Sequence, residues 1–187
     1  HQTSQESPQE GLEETRRPVA LVVGEALVDV VHRADGSVTE FPGGSAGKAA
    51  VALSRLGKPV WLHTCFADDR HGRMLRDHVD GAGVRLASDP SAIDHSSSAV
   101  ATIGDDGAAS YVFDIAWELN PLALPEELTP VVLHTSSLAA VLAPGADEVL
   151  HVVTALRGQA LVSYDVNARP AVTGTGADVV ARVERLA

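Results

Sequence analysis

The chain has 187 residues, with 14 Lys and Arg against 25 Asp and Glu, giving a formal net charge of −11 with His neutral. Scattered basic residues on an acidic background argue against a nucleic-acid or anionic-membrane surface, and aromatic residues at 4% leave few platforms for stacking bases. No apolar stretch approaches the ~18 residues of a membrane helix, and a single cysteine, Cys65, excludes an internal disulfide framework and fits a reducing, cytoplasmic compartment.

Residues 1–18 are polar, rich in Gln and Glu and without an apolar run, which predicts a disordered tail with no signal-peptide core. The globular part is expected to occupy residues 19–187. Residues 18–24, Pro-Val-Ala-Leu-Val-Val-Gly, form a short apolar run closed by glycine, the pattern of a strand buried on both faces. Similar strands are predicted at 59–64, 131–135 and 160–164, with a short one at 84–86. Helical patterns at 46–56, 72–80 and 146–157 fall between them. Alternation of strand and helix implies βαβ units and an α/β sandwich around a parallel sheet.

Two segments break that rhythm. Residues 28–41 carry Ala34-Asp35-Gly36-Ser37 between Val-rich arms, and residues 97–114 carry Gly104-Asp105-Asp106-Gly107 between two β-prone arms. Asp-Gly is the turn signal of a hairpin in each. Neither is apolar enough to be central, so the two together are predicted as a small antiparallel lid beside the sandwich. A lid of this kind covers a ligand and excludes water.

The most informative stretch joins the first hairpin to a helix: Phe41-Pro42-Gly43-Gly44-Ser45-Ala46-Gly47-Lys48-Ala49-Ala50. Paired glycines allow positive φ and close approach of a ligand, and the N–H groups of the helix start are free to receive hydroxyls or anions. A tight turn capping a core helix is the plainer reading. The segment is not a P-loop, because Pro42 stands where the leading glycine is required and Ala49 where the Mg²⁺-binding hydroxyl would be. In the helix, positions 46, 49, 50, 53 and 57 share an apolar face, with Lys48 and Arg55 opposite. Lys48 is therefore either a solvated side chain or, from the first turn, a ligand contact.

Further candidates lie just past strand ends, where open α/β sheets bind ligands. Asp29 either accepts hydrogen bonds from two hydroxyls of a polyol or merely begins the first hairpin. Asp165-Val166-Asn167-Ala168-Arg169-Pro170 offers an amide and a guanidinium fork for oxyanions, or else a structural Asx turn before proline. Asp69 reads as a helix N-cap and Cys65 as a buried bystander in a strand. The histidines show neither His-x-x-x-His nor a cysteine partner, so no metal site is expected, and no Gly-x-Ser-x-Gly elbow is present. A Rossmann dinucleotide site would need Gly-x-Gly-x-x-Gly after the first strand, where Gly24-Glu25-Ala26-Leu27 stands instead.

In this order, residues 24–29 (Gly-Glu-Ala-Leu-Val-Asp), 43–57 (the paired-glycine loop and its helix), 66–72 (Phe-Ala-Asp-Asp-Arg-His-Gly) and 164–170 (Tyr-Asp-Val-Asn-Ala-Arg-Pro) resemble the ribokinase or PfkB-type carbohydrate kinases, especially their fructokinase-like branch. The matches correspond to the N-terminal part of that family's domain. The resemblance implies a three-layer α/β/α sandwich with a β-lid, ATP and Mg²⁺ as co-substrates, and transfer of the γ-phosphoryl to a sugar hydroxyl. It implies that Asp29, Gly43 and Gly44 hold sugar hydroxyls, that Asn167 and Arg169 sit between sugar and phosphate, and that the lid near Phe113 closes over the sugar. The lid hairpins could also pair two subunits into a homodimer.

Two departures from the family pattern stand out. Lys48 occupies the position of an asparagine that contacts the sugar, and an ammonium cannot accept a hydrogen bond, so the substrate carries a negative group or sugar binding is impaired. Val166 replaces a proline. The family's Gly-Ala-Gly-Asp segment, with its anion hole and catalytic aspartate, is not in these residues, nor is its Asn-x-x-Glu motif. The catalytic Asp is thus expected beyond residue 187, with the C-terminal part of the domain missing, and these residues alone are expected not to phosphorylate. The alternative is a non-catalytic sugar-binding or interaction module derived from such a kinase.

Overall fold

The computed structural model describes residues 16–186; most of the tail assigned to residues 1–18 lies outside the described residues. The first strand, β1 (Arg17–Val23), begins within that assignment, because Arg17 and Pro18 already pair with Leu128 and Thr129. β1 leads into the hairpin β2 (Leu27–His32) and β3 (Val38–Gly43), then α1 (Ser45–Arg55), β4 (Val60–His63), α2 (Arg70–Gly81) and the two-residue β5 (Arg85–Leu86). A second hairpin, β6 (Ser98–Ile103) and β7 (Ala109–Asp114), precedes β8 (Leu128–Ser136), a 3-10 turn over Ser137–Ala140, α3 (Gly145–Leu156), β9 (Leu161–Asp165), α4 (Pro170–Thr173) and α5 (Ala177–Glu184).

Five strands make one parallel sheet in the order β5-β4-β1-β8-β9. Its core follows from strand periodicity. Val22 and Leu62 face one side with Ala46, Ala50 and Val51 of α1 and Val79 of α2. Leu21, Val23 and Leu133 face the other with Val149, Val152 and Val153 of α3. Leu21, Val22 and Val23 are all fully buried, and each such side chain contributes about 1.5–3 kcal/mol of apolar transfer. The expected helical stripe is rotated slightly: Ala46, Gly47, Ala50 and Val51 are buried, while Gly57 is exposed past the helix end. β8 also starts earlier than expected. Pro130 is accommodated opposite Val19 because the register shifts between Val19 and Ala20, where no regular ladder bond is asked of the proline.

From β1 the chain winds out to β4 with α1 on one face, and the other half builds β8 and β9 with α3 on the opposite face. The end of β1 is therefore the switch point of the sheet, where neighbouring connections diverge and leave a crevice.

The two hairpins form a second sheet in the order β3-β2-β6-β7. Both turns fall at the Asp-Gly signals, with Gly36 and Gly107 at positive φ and the preceding Asp35 and Asp106 carboxylates accepting backbone N–H bonds. The lid is mixed rather than wholly antiparallel, since β2 and β6 pair in parallel. The two first strands run in the same direction side by side and the return strands flank them. Val28 and Val30 on one face of the lid pack with Phe66 and Leu75, which anchors it on the α2 side.

Candidate functional site

The opposite face of the lid carries a row that crosses all four strands: Phe41 pairs with Asp29, Asp29 with Ala99, and Ala99 with Phe113. Cross-strand partners point to the same face, so Asp29 and Phe113, 84 residues apart by their numbers, turn toward the same space. That space is a cavity of about 310 Å³ at the switch point, walled by Glu25, Leu27, Asp29, Gly44, Ser45, Lys48, Ala99, Phe113, Ser137, Leu138, Asn167, Arg169 and Val172.

Six of the seven residues selected from sequence thus meet in one cavity, and the seventh, Gly43, lies directly behind Asp29. A Cβ on Gly43 would land in the Asp29 carboxylate, so the residue is glycine because the acid occupies the side-chain volume. Gly44 is glycine for two reasons. Its φ is +90°, and a Cβ would run into the Glu25 carbonyl. Together they let the loop fold flat against the end of β1 and begin α1 at the cavity wall.

Glu25 organises that start. It is buried, its Oε1 accepts the Ser45 N–H at 3.0 Å, and its backbone carbonyl accepts the Gly47 N–H at 3.3 Å, so it serves as an N-terminal cap from outside the helix. Its Oε2 has no partner among the described residues. Burial pushes the Glu25 carboxyl above the usual carboxylate range, against the pull of its hydrogen bonds and of nearby Arg169.

Asn167 completes the ring from the far end of the chain. Its Nδ2 donates to Ser45 Oγ at 3.3 Å, and its carbonyl accepts from Ser137 Oγ at 3.4 Å. Asn167 sits at φ +28° and Ser137 at φ +55°, both left-handed, a conformation asparagine tolerates better than most residues. Lys48 is on the exposed side of α1, as its helical position requires, and its Nζ donates to Asp29 Oδ2 at 3.1 Å. Arg169 makes no side-chain hydrogen bond or ion pair among the described residues, which leaves its guanidinium fork open at the rim.

Glu25, Ser45 and Ser137 were not selected from sequence. Glu25 had a signal, since it directly follows the glycine that ends the first strand. Ser137 had none, because its place depends on the backbone turning into a 3-10 turn after β8. Asp69 caps α2 as expected, accepting from Gly72 N at 2.7 Å. Cys65 is buried just past β4 rather than within it, and burial lifts its thiol to about 11, which makes it unreactive. No helix among the described residues is long and apolar enough to cross a membrane.

Residues 19–178 match the pfkB family carbohydrate kinase model. The chain belongs to this family. It is 28% identical over 158 residues to a fructokinase of Klebsiella pneumoniae, covering 79% of this chain and 50% of that protein. It is 26% identical over 176 residues to the aminoimidazole riboside kinase of Salmonella typhimurium, covering 89% and 54%. Among solved structures, fructokinase with bound ATP from Xylella fastidiosa superposes with a TM-score of 0.76 at 22% identity, over 91% of this chain and 58% of that one. The chain spans about half the length of the curated relatives it matches. The ribokinase-like α/β fold with its lid is thereby established for the part described.

Proposed function

We propose that this chain forms the sugar-holding half of an ATP-dependent carbohydrate kinase of fructokinase-like type. The observation that carries the reading is the convergence of Asp29, the Gly43-Gly44 loop, Asn167 and Arg169 on one lidded cavity at the sheet's switch point. A carboxylate, an amide and main-chain groups at a helix start supply both acceptors and donors, which is what a polyol demands. Asp29 accepts hydrogen bonds from sugar hydroxyls, Asn167 holds the sugar end nearest the helix, and Phe113 closes the lid side against water.

When bound, ATP supplies the phosphoryl group to be transferred. Arg169 is the described side chain fitted to meet phosphate oxygens, being unpaired and planar. The described residues contain no group of three or more His, Cys, Asp or Glu side chains able to hold a metal ion, so the Mg²⁺ implied by the family has no ligand set among them. These 187 residues also lack a Gly-Ala-Gly-Asp segment. With neither base nor anion hole, the chain alone binds sugar without turning it over. A coupled ADP-release assay across ketoses, aldoses and nucleosides should read background, with saturable binding in calorimetry. Robust turnover would overturn the half-site reading, and absence of binding by every compound would overturn the sugar site itself.

A further inference from the structure

The charged lining of the cavity is Glu25, Asp29, Lys48 and Arg169. Lys48 spends one N–H on Asp29, leaving two without a partner, and none of the Arg169 donors is used within the described residues. Glu25 is buried, and its Oε1 already accepts the Ser45 N–H at the start of α1. The free hydrogen-bond donors on the charged lining therefore sit on its two cations, Lys48 and Arg169.

The Asp29–Lys48 pair is half open to water, with side-chain exposures of 36% and 63%, and an exposed pair is weak enough to be exchanged. A neutral polyol that takes Asp29 as its acceptor competes with Lys48 for Oδ2 and offers the ammonium only hydroxyl oxygens in return. That trade replaces an ion-paired hydrogen bond on the ammonium by a weaker one to a neutral oxygen. A polyol that bears a carboxylate avoids it, because the carboxylate takes over Lys48 while the hydroxyls turn to Asp29. The number of opposite-charge contacts is conserved through the exchange.

We propose that the sugar held here is an acidic one, bearing a carboxylate, with Lys48 the residue that selects it. This deepens, and rests on, the sugar-kinase reading above. Arg169 lies across the same cavity and serves the phosphate side.

The test uses matched pairs that differ only in the acid group, D-gluconate with D-glucitol and D-glucuronate with D-glucose, titrated calorimetrically into the full chain. The acid of each pair should bind about tenfold more tightly or better. Raising ionic strength from about 50 to about 500 mM should weaken the acids and leave the neutral partners unchanged. Lys48→Asn should abolish the preference and Lys48→Arg should retain it, while Asp29→Asn should weaken acid and neutral sugar alike. Equal or tighter binding of the neutral partners by the native chain, or an acid preference that survives Lys48→Asn, overturns this proposal and leaves the sugar site standing. If none of the four binds and the ketose and nucleoside panel also fails, the sugar site falls and the proposal falls with it.

Discussion

Asn167 reaches across 122 residues of sequence to donate its side-chain amide to Ser45 Oγ at 3.3 Å. Ser45 in turn gives its N–H to Glu25, and these contacts tie the ends of β1 and β9 to the start of α1. A chain of hydrogen bonds therefore runs through the cavity wall.

Replacing Asn167 with alanine removes the bond to Ser45 and places a less tolerant residue at φ +28°. A half-buried hydrogen bond is worth about 0.5–1.5 kcal/mol, and the left-handed backbone adds up to about 1–2 kcal/mol. Denaturant unfolding of Asn167→Ala should show a loss of this size, and calorimetry a larger fractional loss of sugar affinity than of stability. Unchanged sugar affinity would remove Asn167 from the site.

The paired glycines separate by cause. Gly44→Ala forces a side chain onto φ +90° and into the Glu25 carbonyl, so it should lower stability by about 1–3 kcal/mol from backbone strain alone. Gly43→Ala meets the Asp29 carboxylate instead, a side chain that can swing aside. It should unfold near the native midpoint while losing sugar binding. Thermal melts paired with titrations distinguish the two, and equal destabilisation by both would contradict the assignment.

Glu25 predicts a pH dependence with a definite sign. Its carboxyl is raised above 4.5 by burial, so the folded state holds the proton more tightly than the unfolded chain. Its contribution to stability is fully present below pH 4.5 and is lost as pH rises through the folded value. Glu25→Gln keeps an acceptor for the Ser45 N–H but cannot ionise. The variant should lose that pH-dependent decline, so its melting temperature should gain on the native protein as pH rises. A parallel pH profile for the two proteins would show that Glu25 is not the titrating group.

Glu40 of β3 is gripped by Arg70 through two hydrogen bonds of 2.5 Å, with His71 at 3.2 Å, and this contact joins the lid to α2. The Arg70 hydrogen bonds, then those of His71, pull the Glu40 carboxyl down from 4.5 to about 2. Its stabilising share is present above pH 4.5 and disappears as pH falls toward about 2. The Arg70 side chain is 65% exposed, so Arg70→Met should leave the global unfolding midpoint close to native. Hydrogen exchange in β2 and β3 should accelerate locally, and unchanged lid protection would show that Val28 and Val30 hold the lid without help.

Much of this arrangement was legible in the linear sequence because its causes are local. The apolar runs at 18–24, 59–64, 131–135 and 160–164 marked the parallel strands, Asp-Gly placed both hairpin turns, and Asp69 announced the cap of α2. The ordered motifs around Asp29, Gly43-Gly44 and Asn167-Ala168-Arg169 carry the family resemblance that the match over residues 19–178 bears out. These signals survive because backbone sterics and burial periodicity act over a few residues, and each is written where it acts.

Other features needed the folded chain. Sequence could not say that β2 and β6 pair in parallel, since strand direction in a sheet depends on how two distant hairpins leave the body. It left Lys48 between solvent and ligand; helical position made it exposed, and only the lid folding over brought Asp29 within 3.1 Å of it. Glu25 and Ser137 entered the site because β1 and β8 are neighbours, a pairing that joins residues more than a hundred positions apart. The sequence by itself determined which elements form and which residue types reach the strand ends. The tertiary structure decided which of those ends share a cavity, because the burial of both faces of one parallel sheet selects the strand order, and strand order sets which side chains meet.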